Sequence, residues 1–201
     1  MLAPNSELPK LKMPRILIGS LLAIVLGASS VQASDTKVVM QTSSGDITIE
    51  LDQSHAPKTV QNFLRYVAEQ HFDGTVVYRV VPGFVIQAGS YEADGRSRDV
   101  HEPIPLEANN GLANLRGTIA MARTDPDTAT AEFFINLEDN HNLDHHAGDS
   151  GNSTGYAVFG RVVSGMEVVD RIAAVPLGGV GPFPSQAPIK PITILRISVV
   201  P

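Results

Sequence analysis

The sequence predicts a mainly antiparallel β domain, a barrel whose ends are plugged by two helices. Three observations carry this. Short runs that favour β structure alternate with turn-rich segments along most of the chain, two segments have apolar residues at helical spacing, and no internal repeat divides the 201 residues into two cores.

The elements follow in order. Lys37 to Thr42 and Ile47 to Leu51 flank a Ser43-Ser44-Gly45-Asp46 turn, and the alternating Ile47, Ile49 and Leu51 read as one face of a hairpin. Thr59 to Gln70 sets Val60, Phe63, Leu64 and Val67 along one stripe, which predicts the first helix. Two apolar β-runs come next, joined by Pro82-Gly83, and then a charged, proline-containing loop from Ser90 to Gly111. Gly117 to Ala122 and Glu132 to Leu137 read as strands on either side of Asp125-Pro126-Asp127-Thr128. After an irregular loop, Asn140 to Gly155, come a strand from Tyr156 to Val163, a short helix from Met166 to Ala174 and a closing strand from Ile192 to Val200.

Composition narrows the possible functions. Lys10, Lys12 and Arg15 precede an apolar run from Ile16 to Leu26, and small residues end at Val31-Gln32-Ala33, so residues 1–33 read as a signal peptide cleaved after Ala33. Met13 is an alternative start, because Met13-Pro14-Arg15 and the run that follows already make a complete signal. The mature domain, 34–201, carries 12 basic and 20 acidic residues, a formal charge of −8. With no basic cluster to gather phosphates, nucleic-acid binding is not expected, and no later segment is apolar enough to suggest a membrane contact. The lack of cysteine excludes disulfides, thiol catalysis and cysteine-ligated zinc. His141, His145 and His146 near Asp144 and Asp149 lack a regular ligand spacing and sit among glycines, so a solvated loop is expected there and no metal.

The segment Val76 to Gly89 is the most informative. Period-two alternation sends Val76, Tyr78 and Val80 one way and Val77, Arg79 and Val81 the other. If Pro82, Gly83 and Phe84 form a three-residue loop, Val81 faces Val85 and Arg79 faces Gln87; a two-residue loop would separate them. The first geometry makes an apolar groove that holds a cation and an amide able to orient it. Such a groove suits an apolar ligand with a carbonyl or nitrogen to polarise. In Glu132 to Leu137, Phe134 shares the face of Glu132 and Asn136, whereas Phe133 shares that of Ile135 and Leu137. Phe133 is therefore expected in the core and Phe134 on a pocket wall.

Four separated motifs carry a family resemblance: Phe84-Val85-Ile86-Gln87-Ala88-Gly89 after Arg79, Gly117-Thr118-Ile119-Ala120-Met121-Ala122, Glu132-Phe133-Phe134-Ile135-Asn136, and Tyr156-Ala157-Val158-Phe159-Gly160. In order and spacing they resemble the cyclophilins, and most of all the short exported cyclophilins of Gram-negative bacteria. The resemblance implies an all-β, closed eight-stranded barrel capped by two α-helices, with peptidyl-prolyl cis-trans isomerase activity and no cofactor. It implies that Arg79 is the catalytic cation, Gln87 the amide that holds it, and that Phe84, Val85, Phe134 and Leu143 wall the proline pocket. Ala122, Arg123 and Thr124 match a strand end that pairs with the substrate chain, Glu132 a substrate-contacting glutamine, and Tyr156 a pocket-edge histidine of eukaryotic members. Val85 stands where methionine is usual, Arg123 where asparagine is, and Asn142 where tryptophan is common. Loss of that tryptophan implies weak inhibition by cyclosporin.

The expected function is isomerisation of Xaa-Pro bonds in unfolded or partly folded exported polypeptides, by a periplasmic monomer. A proline-peptide binding module, or a holdase that keeps the groove without turnover, is the competing reading. Arg79 separates the two, since a barrel that only binds has no need of the cation.

Overall fold

The computed structural model describes residues 36–148 and 150–200. The expected signal peptide lies outside the described residues. Strands β1 (Thr36–Thr42), β2 (Gly45–Leu51), β3 (Arg79–Val81), β4 (Val85–Ala88), β5 (Thr118–Met121), β6 (Phe133–Asn136), β7 (Val158–Ser164) and β8 (Ile194–Val199) form one antiparallel sheet in the order β3-β4-β6-β5-β7-β2-β1-β8. Helices α1 (Pro57–Ala68) and α2 (Met166–Ala173) complete the expected set.

The sheet curls into a barrel, and one feature departs from the expected closed form. No continuous ladder joins the edge strands β3 and β8. The gap is bridged just before each strand, where Val76 pairs with Thr193 and the N–H of Val77 donates to Ile192 O at 2.9 Å. Gly74 N–H also donates to Ile194 O at 2.7 Å and Ile194 N–H to Thr75 O at 2.8 Å, so the seam is held by the segment before β3 and not by a β3–β8 ladder.

Inward residues alternate as the sequence predicts. Val38, Met40, Ile47, Ile49, Leu51, Ile86, Ile119 and Ile135 are buried, and Phe63 of α1 meets Phe133 and Phe159 with ring centroids 5.6 and 5.3 Å away. Helix α1 runs two residues earlier than expected at both ends. Pro57 starts it, where its fixed φ and missing N–H suit a first turn, and Gln70 at φ 57° prevents continuation. No side chain adjoining the helix caps it; Glu107 does so instead, accepting from the Thr59 N–H and hydroxyl at 2.8 and 2.7 Å.

Two of the sheet's three register shifts bear on its outer face. Ile119 pairs with Gly160 but Ala120 pairs with Val158, so Phe159 is the extra residue: it turns into the core while Val158 faces outward. The second shift, between Gln41 and Thr42, leaves Leu195 of β8 exposed.

Candidate active site

The site is built on the outside of the barrel, on a row of residues that crosses four strands. Arg79 on β3 pairs with Gln87 on β4, Gln87 with Phe134 on β6, and Phe134 with Ala120 on β5. The turn fixes the first pair. Val81 faces Val85, the Phe84 N–H donates to Val81 O at 2.9 Å, and Gly83 takes φ 71°, which a residue with a side chain adopts only under strain. Three residues thus form the loop, and Arg79 and Gln87 come side by side.

One part of the expected alternation fails. The N–H of Tyr78 donates to Gln87 O at 3.2 Å while Arg79 is Gln87's ladder partner, so two residues oppose one, as in a β-bulge. Val77 and Val80 consequently face the core, and Tyr78 turns outward beside Arg79 instead of inward with Val80.

The bulge completes a polar chain. Arg79 Nη1 donates to Gln87 Oε1 at 3.0 Å, and Gln87 Nε2 donates to the Tyr78 hydroxyl. Because a guanidinium offers donors alone, it fixes which end of the Gln87 amide faces it. The Tyr78 hydroxyl interacts in turn with Glu132, whose Oε1 accepts the Ser90 N–H at 2.7 Å. Gly89 makes room for this carboxylate: a Cβ there would lie 2.7 Å from both the Glu132 backbone and its carboxyl group.

Beside the polar chain lies an apolar cluster separate from the barrel core, made of Val85, Ala120, Phe134, Leu143 and Val158. Phe84, Ala122 and Tyr156 pack over it, Tyr156 edge-to-face on Phe134 at 5.6 Å. Phe133 is in the main core. Buried asparagines hold the cluster's loops in place: Asn140 Nδ2 donates to Phe84 O and Asn136 Oδ1 at 2.9 and 2.8 Å, and Asn114 Nδ2 donates to Leu143 O at 3.0 Å. Arg123 stacks over the Tyr156 ring at 4.8 Å and donates through Nη2 to Gly155 O at 2.6 Å, fixing the entry to β7.

The residues expected to be catalytic or to contact substrate, namely Arg79, Phe84, Val85, Gln87, Ala122, Arg123, Thr124, Glu132, Phe134, Leu143 and Tyr156, line one cavity of about 500 Å³. Tyr78, Tyr91 and Phe183 line it too and were not foreseen. Asn142 is exposed in the one-turn helix His141–Leu143 and is not part of the lining. In the histidine loop, His141 Nδ1 meets Asp144 at 2.9 Å and His145 Nδ1 meets Thr154 O at 3.1 Å. Among the described residues, no three His, Cys, Asp or Glu side chains gather as a metal site requires.

The order of the four motifs, the barrel and this cavity all point one way, and comparison with known families decides it. The family model for cyclophilin-type peptidyl-prolyl cis-trans isomerases matches residues 37–199. The chain belongs to the cyclophilins. Peptidyl-prolyl cis-trans isomerase A of Dickeya dadantii is 46% identical over 168 residues, covering 83% of this chain and 86% of that one. Peptidyl-prolyl cis-trans isomerase B of Escherichia coli is 48% identical over 163 residues, 81% and 98% of the two chains. A crystal structure of a Cryptosporidium parvum cyclophilin solved in the presence of the dipeptide Ala-Pro superposes with a TM-score of 0.68 at 26% identity, covering 82% of this chain and 99% of that one.

Within this cyclophilin, Glu132 is the one carboxylate shut into the cavity wall. Burial raises its pKa above the ordinary glutamate value, and hydrogen bonds from Tyr78 and Ser90 only partly offset that. Its Oε2 is buried without a well-formed hydrogen bond. The sign for stability follows. The folded state holds this proton more tightly than the unfolded chain, so the group destabilises the fold increasingly as pH rises from the ordinary value of 4.5 through the folded one. Replacing Glu132 by Gln is expected to raise Tm at pH 8 by about 2–4 °C, the equivalent of about 1 kcal/mol, and to leave Tm nearly unchanged at pH 4. Circular-dichroism melts at the two pH values check this; an equal gain at both would contradict it.

Proposed function

We propose that this peptidyl-prolyl cis-trans isomerase acts on Xaa-Pro bonds of unfolded or partly folded exported polypeptides, with Arg79 as the catalytic group. The observation that carries the reading is a guanidinium held rigidly at the edge of an apolar pocket.

A peptide bond resists rotation by about 18–20 kcal/mol because resonance makes its C–N bond partly double. As the prolyl bond twists, its nitrogen loses conjugation and gains a localised lone pair. A donor aimed at that nitrogen therefore binds the transition state more tightly than either planar ground state. Phe84, Val85, Phe134 and Leu143 would grip the ring, so that the residue on its amino side swings while the ring stays still. The same apolar wall keeps out water that would weaken the arginine's contact. No proton is transferred and no covalent bond is made or broken, so neither a base nor a nucleophile is required. Ala122 and Thr124 already give their N–H groups to Glu132 O and Thr128 Oγ1, so a substrate chain laid along this strand end would pair with other backbone groups there.

Export, and with it a periplasmic site of action, rests on the amino-terminal pattern of residues 1–33. The full chain expressed in a Gram-negative host should yield a periplasmic protein whose first residue is Ser34. Retention of residues 1–33 on a cytosolic product would refute export while leaving the isomerase reading untouched. Asn142, exposed and next in sequence to the pocket-lining Leu143, supports weak cyclosporin inhibition, since a short polar amide offers little apolar area to a large apolar macrocycle. A titration against prolyl isomerisation should show inhibition far weaker than that of a tryptophan-containing cyclophilin, and equal potency would overturn the assignment.

A further inference from the structure

Arg79 has a second support, from a segment remote in sequence. Between α2 and β8 the chain doubles back at Leu177 and Pro188, which form an isolated antiparallel bridge. Gly178 and Gly179 both donate to Ala187 O, at 2.8 and 3.0 Å, and Ile189 donates to Pro176 O at 2.9 Å. With its ends so pinned, the loop 178–187 lays a one-turn helix, Pro184–Gln186, against β3. Gln186 Oε1 then accepts from Arg79 Nε at 2.6 Å, and the Phe183 ring lies 5.4 Å from Arg79 Cζ while stacking on Tyr78 at 6.3 Å.

These contacts are complementary. Gln87 grips Nη1 from the neighbouring strand and Gln186 grips Nε from the loop, so two amides on different nitrogens fix the rotation of a planar guanidinium within its plane. The aromatic ring fixes its tilt. Nη2 is the nitrogen that neither amide engages.

We propose that Gln186 and Phe183 are positioning residues: with Gln87 they clamp Arg79 before substrate arrives, leaving its Nη2 edge to meet the prolyl nitrogen. The proposal rests on Arg79 being the catalytic group. An arginine free to change rotamer would have to be ordered during the reaction, whereas a clamped one is ordered by the fold, so the clamp acts on turnover more than on binding.

Gln186→Met keeps length and packing but removes the acceptor, and Gln186→Glu restores one. With a Xaa-Pro peptide, Gln186→Met is expected to lower kcat about tenfold with KM within about twofold of wild type and Tm unchanged, and Gln186→Glu to recover most of the loss. Wild-type kcat in Gln186→Met overturns the proposal. So does a raised KM at unchanged kcat, which would make Gln186 a binding residue, or a loss tracking a lowered Tm without rescue, which would make it merely structural. The clamp can also be read without turnover, so its failure is distinct from failure of the active-site reading. In ¹⁵N spectra of the wild type, the Arg79 Nε–H signal, assigned by its loss in Arg79→Lys, should exchange with water far more slowly than that of free arginine. Exchange as fast as in free arginine overturns the clamp, whatever the activity of Arg79→Ala.

Discussion

Arg79→Ala should lower kcat/KM for an Xaa-Pro peptide by about 10²–10³, the loss typical of removing one preorganised donor aimed at charge that develops in a transition state. The fall should be mainly in kcat, because the apolar walls that bind the proline ring remain. Stability should change little, within about 1 kcal/mol, since Arg79 is half-buried and water can reach the two amide oxygens it leaves behind. Arg79→Lys is the sharper variant. It keeps the charge, but a single ammonium cannot hold Gln87 and Gln186 in one plane and still present a fixed donor, so most of the loss should persist. Peptide isomerisation kinetics alongside thermal melts check both; an alanine variant with wild-type turnover contradicts the mechanism.

The second large effect is at Phe134. Its ring is 4% exposed and is the centre of the outer apolar cluster, against Val85, Leu143 and Tyr156. Phe134→Ala should destabilise the fold by about 3–5 kcal/mol and raise KM for the folded protein, because the pocket loses its floor. Phe133→Ala is the control. That ring is 2% exposed but belongs to the main core, so its truncation should cost similar stability without raising KM. Urea denaturation with steady-state kinetics separates the two; a Phe134→Ala protein with unchanged KM would remove it from the pocket wall.

How far the sequence revealed this site depended on whether each contact is local. Turn length determines which residues of a hairpin face each other, so the sequence narrowed the choice to Arg79 beside Gln87 with a three-residue loop or apart with a two-residue one, and the structure shows the first. Alternation along one strand was enough to send Phe133 and Phe134 to opposite sides. Tyr78 was missed because a bulge resets alternation with no mark in residue type: a tyrosine among valines suits either face. Gln186 and Phe183 were missed for a different reason. Gln186 meets Arg79 across 107 residues of chain, through a loop whose path is set by the Leu177–Pro188 bridge, and no periodicity connects the two. The edge seam was hidden likewise, since whether β3 and β8 share a ladder depends on the curl of the whole sheet.

The central claim is that this barrel turns prolyl bonds over and does more than hold them. Magnetisation-exchange NMR tests it most directly, with a short Ala-Pro peptide in large excess over the wild-type protein. Uncatalysed exchange takes tens of seconds or longer and gives no cross peaks on the mixing times used. Catalysis predicts cross peaks between the cis and trans signals that scale with protein concentration and vanish with Arg79→Ala. Broadened peptide signals with no cis–trans cross peaks would mean a groove that binds proline without isomerising it, and would contradict the account.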